Sequence, residues 1–190
     1  MLPATPPVAT IPQITGDIRM GDLIEQVPGA RRALFARYHL GGCQSCAFSD
    51  DESLADLCRR ADDLPLDEVV AHLQRSAEND QRMWIDPADL RDRLAGDSPP
   101  TLVDTRTREE HEAVALPGSR FLDQDLQQQL FAGDPARSIV LYDHSGRHVL
   151  DPCSWFHGHG LKATRALRGG IDAWSREIDP SLPRYRIEID

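Results

Sequence analysis

"IVLYDHSGRHVLDPCSW", residues 139–155, decides how the second half of the chain is read. Four apolar residues form a run short enough for a buried strand, a polar turn is centred on Gly146, and an amphipathic stretch follows. Strand, glycine turn and helix start together build a cradle of backbone N–H groups, which suits an anion. A nucleophile is expected at the strand's end, and that position holds Asp143. Pro152 inside a helix begun right after Gly146 would cost about 3 kcal/mol. Asp151-Pro152 is a good cap and first-turn pair, so the helix is expected to start late, at Asp151, or to be kinked there, and either choice displaces its N–H groups from Asp143.

Working outward, strands and helices alternate from Met83 onward. "MWI" reads as a short strand, and "DPADLRDRLAG" as a helix with Asp86 as cap, Pro87 at its first position and Gly96 beyond its end. "TLVD" is a buried strand, "TREE" (107–110) a capping box, and "LRGGIDAW" a closing turn and helix. Strands separated by helices imply a parallel sheet covered on both faces.

Three of these stretches, "LVDTRTREEHEAVALPGS", "IVLYDHSGRH" and "LRGGIDAW", follow one another with the spacing of the rhodanese-like family, which residues 84–174 resemble. The resemblance implies an α/β fold, a doubly wound parallel sheet, with its active loop after "IVLY". In active members that loop opens with a cysteine whose thiolate carries sulfane sulfur as a persulfide, held by loop N–H groups. Here the corresponding loop is Asp143, His144, Ser145, Gly146, Arg147 and His148. A carboxylate does not carry sulfur, and its charge opposes thiosulfate by about 1–4 kcal/mol at contact. The expectation is a degenerate loop, inactive as a thiosulfate sulfurtransferase and used for binding. Cys153 is either a core residue or a relocated thiol, and its neighbours Trp155 and Phe156 favour the core. Asp143, His144 and His148 offer zinc-type donors, against which stands the usual solvation of loop histidines. His157 and His159 are assigned no chemistry.

The first half is helical in texture. "MGDLIEQV" and "GARRALFARY" carry apolar stripes at steps of three and four on either side of Pro28-Gly29. "DESLADLCRRA" puts Leu54, Leu57, Cys58 and Ala61 on one face, and "LPLDEVVAHLQ" forms a last helix. "RSAENDQ" reads as a linker. The reading is therefore a lead-in over 1–13, a small all-α domain over 14–76, a linker over 77–82, the α/β domain over 83–179 and a tail over 180–190.

Between the helices stands "GGCQSCAFSDD". Cys43 and Cys46, spaced C-x-x-C after two glycines, suit a redox disulfide or two metal ligands, with Cys58 a third ligand or a core residue. A helix starting near Cys46 would favour a thiolate there, whereas one beginning only at Ser49 would leave Cys46 in the loop with little help from the helix, and Asp50, Asp51 and Glu52 oppose the thiolate in either case. Three cysteines leave an iron–sulfur site one ligand short, which a homodimer would supply. The stretch from Ile14 to Cys58 is similar to a small helical family described as a redox-disulfide domain associated with hybrid-cluster proteins. That resemblance implies redox or iron–sulfur-related work, with an iron–sulfur cluster or zinc at the cysteine pair and a protein partner in sulfur or redox metabolism.

Composition narrows the classes further. A net charge of -10 over 190 residues leaves no basic stripe for nucleic acid. No stretch reaches the roughly 18–20 apolar residues of a membrane span. The amino terminus lacks the charged start and apolar run of a signal peptide, so a cytoplasmic chain with reduced cysteines is expected. Three readings follow: a redox or sulfur-handling accessory protein, a non-enzymatic metal-binding or regulatory interaction protein, and a sulfurtransferase with a relocated cysteine.

Overall fold

The structure, a computed structural model, describes residues 12–41 and 47–185. Its chain divides into two units, Met1–Arg82 and Met83–Asp190.

The first unit is helical: α1 (Met20–Gln26), α2 (Ala30–Tyr38), α3 (Leu54–Arg60) and α4 (Leu66–Gln81). Met20, Leu23, Leu34, Leu54, Leu57 and Leu73 are buried completely and form its core. Two expectations change here. α3 begins at Leu54, where the Ser53 hydroxyl accepts the Asp56 N–H, so no helix starts at Ser49; Cys46 lies outside the described residues. The segment 77–82, expected as a linker, is helical through Gln81. The reason is a continuous inward stripe, Val69, Leu73, Ala77 and Asp80, at steps of four, four and three. Its last member is charged, which disguises the stripe in sequence. Arg32 meets that charge with an Nη2–Oδ1 distance of 2.6 Å.

The second unit runs β1 (Trp84–Ile85), α5 (Pro87–Leu94), β2 (Thr101–Asp104), α6 (Arg108–Ala113), β3 (Arg120–Phe121), α7 (Gln124–Phe131), β4 (Ile139–Tyr142), α8 (Leu150–Gly158), β5 (Thr164–Leu167) and α9 (Gly170–Glu177). The sheet is parallel throughout, in the order β1-β5-β4-β2-β3. This is the α/β, doubly wound parallel sheet expected from the alternation of elements. Because successive side chains of a strand point to opposite faces, β4 serves two cores at once. Ile139 and Leu141 pack with Leu126 and Leu130 of α7 and Cys153 and Phe156 of α8. Val140 and Tyr142 pack with Leu90 of α5 and Ile171 and Trp174 of α9.

Local signals hold where they are chemical. Thr107 and Glu110 form the reciprocal capping box, with N–H···O distances of 3.3 and 3.1 Å. Asp86 precedes Pro87 as expected, but its carboxylate accepts from Arg168 Nε at 2.7 Å instead of capping α5. No helix among the described residues is long and apolar enough to cross a membrane.

Candidate functional site

β2 and β4 are paired neighbours, and both end at the same rim of the sheet. In an open parallel sheet the crevice beyond the strands' carboxyl ends is where ligands bind. The segments leaving these strands, with Leu122 and Pro152, line a pocket of about 890 Å³.

The loop after β4 is built around its first residue. Asp143 is buried, 7% exposed, and its carboxylate turns into the loop. Oδ1 accepts the Gly146 N–H, and Oδ2 accepts those of His148 at 2.8 Å and Val149 at 3.1 Å. Gly146 makes this turn possible with φ +82, and a Cβ there would lie 2.7 Å from the Gly169 nitrogen. From outside, the start of α9 clamps the same loop. The Ile171 and Asp172 N–H groups donate to the carbonyls of Asp143 and His144, both at 3.0 Å.

The expected late helix start is nearly met: α8 begins at Leu150, and Pro152 falls in its first turn, where a missing N–H costs nothing. The displacement inferred from it does not occur. The converging N–H groups belong to the turn before the helix, so Pro152 leaves them in place around Asp143. An anion at this point would need the donors the carboxylate already holds.

A second polar group lies beside the loop. Asp104, at the end of β2, is fully buried and takes Arg106 Nε at 2.9 Å and Nη2 at 2.6 Å, a two-pronged pairing. Its Oδ2 also accepts from the Tyr142 hydroxyl at 2.9 Å and meets His111 Nδ1 at 2.9 Å. Burial pushes the Asp104 carboxyl up, but the hydrogen bonds from Arg106 and His111 outweigh it and hold it below the usual carboxylate range. Burial pushes the Tyr142 phenol well up, with the Asp104 charge adding to it. Arg106 Nη1 reaches out to the hydroxyl of Tyr185 at 2.5 Å, and that hydroxyl donates to Glu110 Oε1 at 2.7 Å. Burial and the Glu110 bond move the Tyr185 phenol to about 12, so it stays protonated. Residues 180–185, expected as a tail, thus lead back to the pocket.

The remaining sequence candidates fall as follows. His144, Ser145, Arg147 and His148 line the pocket with Asp143. Asp143, His144 and His148 do not converge as metal ligands, because the carboxylate faces backbone amides; no group of three His, Cys, Asp or Glu side chains suited to a metal occurs among the described residues. Cys153 is fully buried, its thiol directed to the Thr164 carbonyl at 3.8 Å. Cys58 lies in the first unit's core, 2% exposed, and burial pushes its thiol up. Cys43 and Cys46 lie outside the described residues. On the two sides of that stretch, a Cβ on Gly41 would come within 2.7 Å of the Phe48 ring, and Arg60 holds the Ala47 carbonyl at 3.1 Å and Glu52 at 2.9 Å.

Sequence reading missed Arg106, Glu110 and Tyr185 as site residues. The first had a local signal, a carboxylate and a guanidinium two positions apart at a strand's end. Tyr185 had none, since its partners lie 75 and 79 positions away.

Residues 86–177, within the second unit, match the family model described as the rhodanese-like domain. A chloroplast rhodanese-like/PpiC domain-containing protein of Arabidopsis thaliana is 27% identical over 92 residues, 44% of this chain. The chain spans only 30% of that relative's length. Among solved structures, a rhodanese-like domain protein of Staphylococcus aureus is 20% identical, covering 54% of this chain and 97% of that one at a TM-score of 0.44. A human single-domain sulfurtransferase is also 20% identical, covering 50% and 96% at a TM-score of 0.43.

Proposed function

We propose that the chain is an accessory protein of sulfur or redox metabolism, in which the rhodanese-like domain binds a protein partner and transfers no sulfur at the Asp143 loop. One observation carries the reading: the Asp143 carboxylate occupies both of its oxygens with loop N–H groups. Asp143 stands where sulfur-carrying members of the family place cysteine. It has no sulfur to accept a sulfane atom, and it fills the donors that a persulfide or thiosulfate would use. The chemistry of the chain is assigned to Cys43 and Cys46, as a reversible disulfide or as ligands of zinc or an iron–sulfur cluster. In support, Cys58 and Cys153 are core residues, which leaves the C-x-x-C pair as the reactive thiols. A cytoplasmic setting, where such a pair stays reducible, accords with this role.

The test is thiosulfate:cyanide turnover by the full chain and by a Cys43→Ser/Cys46→Ser variant, with thiols and metal counted after anaerobic purification. The expected result is no turnover dependent on the Asp143 loop, and either bound metal or a thiol pair that oxidises reversibly. Turnover that survives in the double variant refutes the loop assignment. Four inert thiols with no metal refute the redox assignment. Asp143→Cys puts at the same point a thiolate that can accept from the turn's N–H groups in the carboxylate's stead, so this single change should produce measurable turnover.

A further inference from the structure

Arg106, Glu110 and His144 meet at one corner of the pocket, and the corner is already filled. Its occupant is the side chain of Tyr185, on a segment that continues past residue 177, where the family match ends. The phenol oxygen accepts from Arg106 Nη1 at 2.5 Å and donates to Glu110 Oε1 at 2.7 Å. The phenol ring lies 4.5 Å from the His144 imidazole, centroid to centroid.

The other atoms of these groups are committed elsewhere. Arg106 spends Nε and Nη2 on Asp104 and the Val114 carbonyl, and Glu110 Oε2 takes the Thr107 N–H. What remains is a donor and an acceptor aimed at one point. A group filling that point must accept and donate through a single atom and carry an aromatic ring against His144. A phenol does so; an anion would face Glu110, and an ammonium would face Arg106.

The segment that brings Tyr185 here is irregular in backbone. Residues 178–185 contain no helix or strand of their own. The Ile178 and Asp179 N–H groups close onto the Trp174 carbonyl and Leu182 packs against the apolar core; further along, Ser175 Oγ donates to the Leu182 carbonyl at 2.7 Å and a half-exposed ion pair joins Arg184 Nε to Asp172 at 2.8 Å. The pocket, about 890 Å³, extends beyond the corner and has room for the residues that flank a side chain.

We propose that this corner is a tyrosine-binding subsite, filled by the chain's own Tyr185 until a tyrosine side chain on an extended segment of the partner protein displaces it. The proposal deepens the binding role proposed above and rests on it. Tyr185 makes the subsite self-limiting, because a tethered side chain competes at an effective concentration of about millimolar. Only a partner whose flanking residues use the rest of the pocket outcompetes it.

The test titrates the full chain and Tyr185→Ala with N-acetyltyrosinamide and N-acetylphenylalaninamide by calorimetry, tryptophan fluorescence confirming that each protein is folded. Tyr185→Ala should bind the tyrosine amide at least about tenfold more tightly than the parent does, because the tethered competitor is gone. It should also prefer the tyrosine amide over the phenylalanine amide by about tenfold, because the latter leaves a part-buried donor and acceptor unmet. Equal affinity of parent and variant for the tyrosine amide, or equal affinity of the variant for the two amides, overturns the proposal. Should Tyr185→Ala not fold, Tyr185→Phe, which keeps the ring and loses both hydrogen bonds, is expected to shift affinity in the same direction by a smaller factor; no shift overturns the proposal. Failure here leaves the thiosulfate:cyanide result standing, so the subsite and the sulfur-inert loop are refuted separately.

Discussion

Replacing Asp143 by alanine should unlock the loop after β4, and the structure sets the size of the effect. The carboxylate holds the N–H groups of Gly146, His148 and Val149. His148 is exposed, so water replaces the lost acceptor there, whereas Gly146 and Val149 are buried and keep unmet donors. A buried donor left without a partner costs about 1–3 kcal/mol, so the two together cost about 2–4 kcal/mol after the turn relaxes. For a domain of this size that corresponds to a fall in Tm on the order of 10 °C. Asp143→Asn should lose less, since its remaining oxygen serves one side of the turn while its NH2 faces donors on the other. The assay is urea unfolding followed by tryptophan fluorescence. All three tryptophans, Trp84, Trp155 and Trp174, lie in the second unit, so the signal reports that unit alone. The expected outcome is a lower midpoint at unchanged slope, with the order parent, Asp143→Asn, Asp143→Ala. A stability of Asp143→Ala within about 0.5 kcal/mol of the parent, the range of ordinary surface changes, would refute the claim that the carboxylate organises the loop.

Three further outcomes are expected. Gly170 has φ +59 and a Cβ there would press on the Asp143 carbonyl and lie 2.6 Å from the His144 carbonyl, so Gly170→Ala should cost about 2 kcal/mol or more. Gly118 has φ +75 with open space around it, so Gly118→Ala should show only the backbone strain of about 1–2 kcal/mol; equal losses at both positions would mean that α9 does not clamp the loop. The folded value of Asp104 lies below its ordinary 3.8, so its contribution is complete above that pH and is lost as pH falls through the folded value. The second unit's urea midpoint should therefore drop on acidification below pH ~4, and Asp104→Asn, already weaker at neutral pH, should show a shallower drop; parallel curves would exclude Asp104 as a source. Alkylation of the reduced protein should label Cys43 or Cys46 ahead of Cys58 and Cys153, which are 2% and 0% exposed; labelling of all four only on unfolding contradicts the assignment of reactive thiols.

What the sequence determined by itself was everything carried by near neighbours along the chain. Thr107 and Glu110 sit three apart, and their capping box forms whatever surrounds it. The alternation within "IVLY" assigns Ile139 and Leu141 to one core and Val140 and Tyr142 to the other, because the pleat has a period of two. Asp151-Pro152 located the start of α8 to within one residue, since proline tolerates only the first turn. Tertiary structure decided what depends on partners far away in sequence. α4 continues through "RSAENDQ" because Arg32, 48 positions earlier, neutralises Asp80 on the buried stripe. The cradle remains at Asp143 because its donors come from the turn before α8, and the start of α9 fixes that turn from outside. Tyr185 reaches the pocket by pairing with Arg106 and Glu110 across more than 70 residues. Periodicity and capping describe one element at a time, whereas the direction of a buried carboxylate or the return of a distant phenol is set only when separate elements pack and their unmet donors and acceptors find one another.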